Sequence, residues 1–178
     1  KIVNPALEKA SGEYLFIINA DIIVKNEKSL IDMIDYLEKH EDAGVIGPKL
    51  LNIDGSIQQS YFREYTPLTI LARRTFFGKT SLGKKYLDWF SYKDKGGLNK
   101  PLEVEWLMGS ALLLERKRFE KIGGKFDERF FMYFEDADLC RRFREAGFKA
   151  VYYPLTEMTH YHGKASVGGK GIFDIFGN

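Results

Sequence analysis

The stretch YLFIINAD, residues 14–21, is a short apolar run followed at once by polar side chains. An apolar run of this length without alternation is typical of a strand buried on both faces, as in a parallel α/β sheet. Asn19 and Asp21 follow the carboxyl end of this predicted strand, where ligands bind in open α/β sheets. The stretch therefore predicts a buried strand that presents a carboxylate to a ligand site.

Two interpretations of Asp21 remain open on position alone. A carboxylate at a strand end can help to hold a divalent cation and a diphosphate. The same carboxylate can also serve as the turn or N-cap residue of a helix that follows.

The composition predicts one folded domain over residues 1–178, since 44% of the residues are hydrophobic and 15% are aromatic. The formal net charge of +2 gives no electrostatic case for a nucleic-acid partner. One cysteine excludes an internal disulfide and fits a reducing compartment, so we expect a cytoplasmic location. No apolar run approaches the roughly 18 residues that a membrane span needs.

Strands and helices alternate along the chain, which predicts an α/β fold. In the first half we expect a helix over residues 28–40, a buried strand at 44–47, a hairpin turning at Asp54 and Gly55, and a helix over 68–74 that Thr66 and Pro67 open. The inner face of the first helix is expected to carry Leu30, Ile31, Ile34 and Leu37. In the second half we expect a strand in VEWLMGSALLLE (104–115), helices at 116–122 and 137–146, and a last strand that Pro154 stops.

Residues 76–100 show no clear period and predict a long loop. Basic and aromatic side chains are interleaved through the wider segment 63–100. Such a mixture is typical of a solvated basic loop over core aromatics, or of a surface that meets an anionic membrane or a lipid-linked substrate. Both interpretations remain open.

An acidic cluster, Glu135, Asp136 and Asp138, begins the predicted helix that follows FFMYF. Acidic residues in a first helical turn are favoured by the helix dipole, so capping is one explanation. The preceding aromatic residues can instead hold one carboxylate in a partly dry pocket and raise its pKa toward that of a general base.

His160 and His162 lie close to the end of the predicted last strand. We expect only one of the two imidazoles to face a site. An imidazole suits a transition metal or a phosphate contact. An exposed pair of histidines without a ligand is the alternative.

Three stretches, taken in order, resemble the family-2 glycosyltransferases of the GT-A fold, and in particular their rhamnosyltransferase-like branch. They are ASGEYLFIINAD (10–21), WLMGSALLLERKRFEKIGGKFDERFFMYFEDADLCRRFREAGFKAVYYP (106–154) and THYHGKAS (159–166). The resemblance implies an incomplete GT-A, Rossmann-like α/β fold, with a mixed sheet flanked by helices. It also implies that a nucleotide-binding portion precedes the residues given, so we expect these residues to be inactive by themselves.

The resemblance assigns roles to particular residues. It places Asp21 and His160 as ligands of Mg²⁺ or Mn²⁺, with His162 as the rival of His160, and Asp136 as the catalytic base with Glu135 beside it. Trp106, Gly109 and Ser110 match the lining of the donor and acceptor pocket. Asn19 stands where many relatives carry an acid, and we expect it to contact substrate.

The reaction implied is an inverting transfer of a sugar from a nucleotide-sugar donor to a saccharide or lipid-linked acceptor. Peripheral association with the inner face of the membrane and pairing of copies through exposed sheet surface are further expectations. Two alternatives remain: a non-catalytic carbohydrate- or nucleotide-binding module with the same fold, and a nucleotidyltransferase that uses strand-end acids with Mg²⁺.

Overall fold

The computed structural model describes residues 3–95, 99–130 and 133–161. In this part of the chain nine strands occur: β1 (Tyr14–Ile18), β2 (Ile22–Ile23), β3 (Ala43–Leu51), β4 (Ile57–Gln58), β5 (Tyr61–Phe62), β6 (Leu102–Val104), β7 (Trp106–Leu107), β8 (Ala111–Glu115) and β9 (Lys149–His160). The α-helices described are α1 (Val3–Lys9), α2 (Lys28–Lys39), α3 (Pro67–Arg74), α4 (Ser81–Phe90), α5 (Arg116–Lys121) and α6 (Glu135–Glu145).

The main sheet is mixed, as predicted. Its strand order is β1-β8-β3-β9-β2, with β4 paired to β3 and β6 paired to β9. The β3–β9 pair is parallel, and the other pairs are antiparallel. A separate two-stranded ribbon joins β5 to β7.

The expectation of a parallel environment for the first strand is wrong. Strand β1 pairs antiparallel with β8 and lies at the edge of the described sheet, where Leu15 is buried and Ile18 is exposed. A short apolar run does not specify the direction of the neighbouring strand, because burial depends on what covers the two faces.

Helices cover both faces of the sheet and create two apolar cores. Met33 and Leu37 of α2 pack with Ile46 and Leu113 on one face. The neighbouring positions of the same strands point to the opposite face, where Phe119 of α5 and Phe143 of α6 join the second core. The GT-A-like arrangement of a mixed sheet flanked by helices is therefore present. That residues 1–178 form a single domain stays a prediction.

Helix α2 covers the predicted range, but its inner face differs from the prediction. Leu37 is buried as expected, whereas Ile31 is exposed and Met33 is fully buried in its place. Several apolar residues in one helix allow more than one apolar stripe, and packing against the sheet decides between them.

The prediction of a loop over 76–100 is wrong where the structure describes it. A 3₁₀ turn at Phe76–Lys79 leads into α4 (Ser81–Phe90), whose N-cap Thr80 accepts a hydrogen bond from the Gly83 amide. The helix was not predicted because glycines at positions 78 and 83 interrupt the segment, and glycine disfavours a helix interior.

Two glycines make the close packing of this helical segment possible. A Cβ added at Gly78 would lie 1.9 Å from the Ala72 carbonyl oxygen, and one added at Gly83 would lie 2.0 Å from the Phe77 carbonyl oxygen. Both obstacles are backbone atoms, which cannot rotate away. We expect Gly83→Ala to lower the free energy of unfolding by about 1–3 kcal/mol.

Urea denaturation of Gly83→Ala beside Ser81→Ala checks this prediction. Ser81 is exposed on the same helix, so its substitution should change stability by less than about 0.5 kcal/mol. Equal stability of the two variants would contradict the packing account.

The last strand continues beyond Pro154, contrary to the prediction. Strand β9 runs to His160, and its register against β3 shifts between Tyr153 and Glu157. The shift places Pro154 in an irregularity of the ladder, where a residue without an N–H is tolerated. The strand predicted over 104–115 is likewise divided, since residues 108–110 separate β7 from β8.

Candidate active site

Asp21 and His160 lie together where β2 pairs with β9. Ile22 is the partner of His160 in the ladder, and the Tyr161 amide donates to the Asp21 carbonyl oxygen at 2.6 Å. His160 Nε2 lies 3.3 Å from Asp21 Oδ1. His160 is 4% exposed, whereas the Asp21 side chain is 36% exposed. The pair is therefore anchored in the sheet on one side and accessible from the other.

Gln58, which the sequence did not single out, orients the imidazole. His160 Nδ1 lies 2.8 Å from Gln58 Oε1, and both residues are buried. A carboxamide oxygen can only accept, so Nδ1 donates the proton of this hydrogen bond and Nε2 is the nitrogen that faces Asp21. The hairpin signal at Asp54 and Gly55 placed the return strand, but no sequence pattern indicated which of its polar residues faces inward.

The two donor atoms fit a divalent cation. Neighbouring ligands of an octahedral ion with bonds of about 2.1 Å are separated by ~3 Å. The 3.3 Å between Asp21 Oδ1 and His160 Nε2 is close to this separation. A carboxylate oxygen with an imidazole nitrogen is also a donor set that Mn²⁺ accepts.

Among residues 3–95, 99–130 and 133–161, no group of three or more His, Cys, Asp or Glu side chains is arranged to hold a metal ion. Two protein ligands suit an ion that shares its remaining positions with water and substrate phosphates. His162, the rival ligand, lies outside the described residues. The pairing of Asp21 with His160 is thus observed, and their role as ligands stays a prediction.

We expect Gln58→Met to weaken Mn²⁺ binding by about tenfold, because it removes the acceptor that fixes the His160 tautomer. Isothermal titration calorimetry with Mn²⁺ measures the affinity. The matched variant Gln59→Met changes the neighbouring side chain, which donates to the Ser91 carbonyl oxygen at 3.0 Å. A similar loss in both variants would indicate general disruption of the hairpin and contradict the orienting role.

Asp136 lies in the first turn of α6, which begins two residues earlier than predicted. Its Oδ2 accepts a hydrogen bond from the Gly109 amide at 2.9 Å, and its Oδ1 accepts one from the Ala137 amide at 2.8 Å. Burial raises the pKa of the Asp136 carboxyl to about 6, against the opposing effect of these two backbone hydrogen bonds. The partly dry carboxylate predicted after the aromatic run is therefore present.

The loop at 108–110 connects the strand-end residues with Asp136. The backbone amide of Asn19 donates to the Ser110 carbonyl oxygen at 2.9 Å, and the Gly109 amide donates to Asp136. Asn19, Gly109, Glu135 and Asp136 line one cavity of about 180 Å³. Within the described part of the chain, the buried Glu135 Oε2 has no hydrogen-bond partner. This oxygen is available to accept a hydrogen bond from a ligand.

Trp106 lies in a different cavity from the one that holds Asn19 and Gly109. It lines an open groove of about 690 Å³ with other aromatic and charged side chains, and Phe130 lines both cavities. We call it the aromatic groove; its lining comprises Glu64, Tyr65, Trp106, Phe130, Phe134, Ala137, Asp138, Arg141, Arg144 and Glu145. The Trp106 indole nitrogen donates to the Arg63 carbonyl oxygen at 2.8 Å, so the ring is fixed in place.

The backbone just before α6 is strained. Tyr133 and Phe134 have φ angles of 71° and 70°, in the left-handed region that bulky residues avoid. Such residues cost about 1–3 kcal/mol each and cluster at functional sites. Here they precede Glu135 and Asp136 and determine how the chain enters the helix.

The fold is that of the GT-A glycosyltransferases. Two solved structures with that fold superpose on most of the chain. GalNAc-T7 with UDP, GalNAc and Mn²⁺ gives a TM-score of 0.61 at 16% identity, and the superposition covers 90% of this chain and 30% of the GalNAc-T7 chain. The mannosyltransferase PcManGT of Pyrobaculum calidifontis, with GDP-Man and Mn²⁺, gives 0.51 at 16% identity, covering 91% and 36%.

Within this class the chain is homologous to bacterial rhamnosyltransferases, as its motifs predicted. It is 33% identical over 133 residues, 75% of its length, to the N-acetylglucosaminyl-diphospho-decaprenol L-rhamnosyltransferase of Mycobacterium tuberculosis. It is 29% identical over 154 residues, 85% of its own length, to the rhamnosyltransferase WbbL of Escherichia coli K12. The chain spans 42% and 53% of these relatives. No family model matches the sequence.

Proposed function

We propose that the chain forms the metal- and acceptor-binding part of an inverting family-2 glycosyltransferase. The enzyme would transfer a sugar from a nucleotide donor to a saccharide or lipid-linked acceptor. The observation that carries the proposal is Asp136, a carboxylate with a pKa raised by burial to about 6, which shares a cavity with Asn19 and Gly109. A base near this pKa can take a proton at neutral pH and still be ionised beforehand.

The transfer consists of one displacement at the anomeric carbon. An acceptor hydroxyl oxygen forms the new bond to that carbon while the bond to the nucleoside diphosphate breaks, and the diphosphate departs with the electron pair. Asp136 takes the hydroxyl proton as the bond forms. The hydrogen bonds from the Gly109 and Ala137 amides hold the carboxylate in position for this step.

Asp21 and His160 would hold Mg²⁺ or Mn²⁺. When bound, the ion supplies positive charge that stabilises the leaving diphosphate. The described structure offers two protein ligands, so the donor phosphates fit the remaining positions. The GalNAc-T7 and PcManGT structures contain Mn²⁺, which supports a divalent ion here.

Glu135 and Asn19 are placed to contact the donor sugar. They line the same cavity as Asp136, and the buried Glu135 Oε2 without a partner is suited to accept from a sugar hydroxyl. The aromatic groove on the other side of Phe130 is suited to the acceptor, since it combines aromatic faces with charged hydrogen-bonding groups. The name of the Mycobacterium tuberculosis relative supports L-rhamnose as donor sugar and a lipid diphosphate-linked acceptor.

The test is a screen of nucleotide sugars with the complete gene product, Mn²⁺ and a lipid diphosphate-linked saccharide, in which product formation is followed by mass spectrometry. We expect a deoxyhexose donor to give a glycosylated acceptor with inverted anomeric configuration. Nucleotide binding without turnover for every donor would favour the binding module. Release of pyrophosphate would favour the nucleotidyltransferase. Assaying residues 1–178 alongside tests whether they are inactive by themselves.

A further inference from the structure

We propose that the surface formed by α3, the 3₁₀ turn at Phe76–Lys79 and α4 docks onto an anionic phospholipid membrane. This segment, residues 67–95, is called the α3–α4 surface below. It packs against Tyr65, which lines the aromatic groove. The proposal does not depend on the function proposed for that groove. Its evidence is the distribution of apolar and basic side chains on two packed helices.

The large apolar residues of helix α3 lie on its exposed face. Thr69 and Ala72, a polar and a small residue, point inward and are buried. Leu68, Ile70 and Leu71 point outward and are exposed. A helix on the surface of a globular domain shows the opposite pattern, with its apolar stripe toward the core.

The turn and α4 also carry exposed apolar side chains. Phe76 is 77% exposed, Leu82 is 74% exposed, and Trp89 is also exposed. Leu82 and Trp89 are seven residues apart and therefore lie on one face of α4. Hydrogen bonds between the Tyr86 hydroxyl and the hydroxyls of Thr66 and Thr69 hold α4 against the start of α3. The two helices are thus packed together as one unit.

The same unit is strongly basic. Residues 67–95 contain seven Lys and Arg and two Asp, a net charge of +5, whereas the rest of the chain carries −3. One of the two acids, Asp94, forms an ion pair with Arg63 at 3.0 Å. Lys84 and Lys85 are exposed on α4, and Lys85 lies one helical turn from Leu82. Positive charge interleaved with Phe, Trp and Leu is the composition of helices that lie in an anionic membrane interface.

A membrane explains this surface better than a protein partner does. The centres of protein interfaces are depleted in charged residues, and lysine in particular is disfavoured there. Here the lysines adjoin the most exposed apolar side chains. No helix in the described part of the chain is long and apolar enough to cross a bilayer.

The α3–α4 surface also adjoins the aromatic groove. The Tyr65 ring, which lines the groove, packs on Phe90 of α4 with ring centroids 5.1 Å apart. Arg73 of α3 donates a hydrogen bond to the Tyr65 hydroxyl. Docking of this surface would consequently bring the groove to the level of the lipid headgroups.

Flotation of the chain with lipid vesicles tests the proposal. We expect binding to vesicles of phosphatidylcholine with phosphatidylglycerol and little binding to phosphatidylcholine alone. We also expect release in 0.5 M salt, because electrostatic attraction is already partly screened at about 0.1 M. Phe76→Ser with Leu82→Ser, and separately Lys84→Gln with Lys85→Gln, should each weaken binding by about tenfold or more, because one interfacial lysine contributes about fivefold.

Matched controls change the same residue types elsewhere on the surface. Ile31→Ser with Ile57→Ser alters two exposed apolar residues outside the α3–α4 surface, and Lys9→Gln with Lys25→Gln removes two exposed charges. We expect these controls to bind within about twofold of the unsubstituted chain. Circular dichroism and thermal melts establish that every variant is folded.

Three results would overturn the proposal. The first is no binding to anionic vesicles, and the second is equal binding by the α3–α4 variants and the controls. The third is self-association in size-exclusion chromatography that Phe76→Ser with Leu82→Ser abolishes, since this would identify the surface as an interface between copies of the chain.

Discussion

Asp136→Asn is expected to reduce sugar transfer by about 10²–10⁴-fold in the complete gene product while making the folded chain more stable. The amide keeps the shape of the carboxyl group and one acceptor for the Gly109 and Ala137 amides, but it cannot take a proton. Single-turnover product formation at saturating donor and acceptor measures the first effect. Thermal or urea unfolding measures the second.

The stability gain follows from the sign of the pKa shift. Burial raises the pKa of Asp136 to about 6 from an ordinary value of 3.8, so the folded state favours the protonated form more than the unfolded state does. The charged carboxylate therefore lowers stability progressively as pH rises from about 4 through 6. At pH 7 we expect Asp136→Asn to be more stable by about 1–3 kcal/mol, and the difference should vanish below about pH 4.

Asp42→Asn is the matched control for both effects. Its hydrogen bond with Lys149 lowers the pKa of Asp42, and the residue lies on the surface before β3. Its substitution should leave transfer unchanged and should not raise stability. Full transfer by Asp136→Asn would refute the assignment of the base, and a pH-independent stability difference would refute burial as the cause of the raised pKa.

Asp21→Asn and His160→Gln are expected to weaken Mn²⁺ binding by about 10–100-fold each, since each removes one of two protein ligands. Isothermal titration calorimetry of the chain with Mn²⁺, in the presence and absence of a nucleoside diphosphate, measures the affinity. His40→Gln is the histidine control: His40 Nδ1 lies 2.8 Å from the Tyr36 carbonyl oxygen, remote in sequence from the strand-end residues. Unchanged affinity in His160→Gln with a loss in His162→Gln would transfer the ligand role to His162.

Much of the fold was predictable because local signals agreed with tertiary packing. The helix at 28–39, the hairpin turning at Asp54 and Gly55, and the helix opened by Thr66 and Pro67 are all present. Local signals were insufficient where neighbours decide the outcome. The direction of β1 depends on β8, and the continuation of β9 past Pro154 depends on an irregularity in its ladder with β3.

Helix α4 was missed because it is short and carries a glycine. It contains ten residues, one of them Gly83, and glycine disfavours a helix interior. Its large apolar residues Leu82 and Trp89 lie on the exposed face, whereas Gly83 and Phe90 are the buried ones. The helix therefore depends on tertiary packing that a local pattern does not show.

The candidate site was predicted in part. Motif order indicated Asp21, His160 and Asp136, and the structure brings the first two within 3.3 Å and places the third in a partly dry cavity. Gln58 was not predictable, because its contact with His160 joins residues 102 positions apart. The separation of Trp106 from the cavity that holds Gly109 was also not predictable, since it depends on the division between β7 and β8.

The claim that Asp21 and His160 form the metal half of a site continuous with Asp136 is tested most directly by paramagnetic broadening. Substoichiometric Mn²⁺ is added to the ¹⁵N-labelled chain, with Mg²⁺ as the diamagnetic reference, and amide signals are followed by NMR. We predict that the signals of Asp21, Ile22 and Tyr161 disappear first, followed by those of Asn19 and Gly109. Broadening centred on another acidic surface, such as Asp32 and Asp35 of α2, with Asp21 unaffected, would contradict the account.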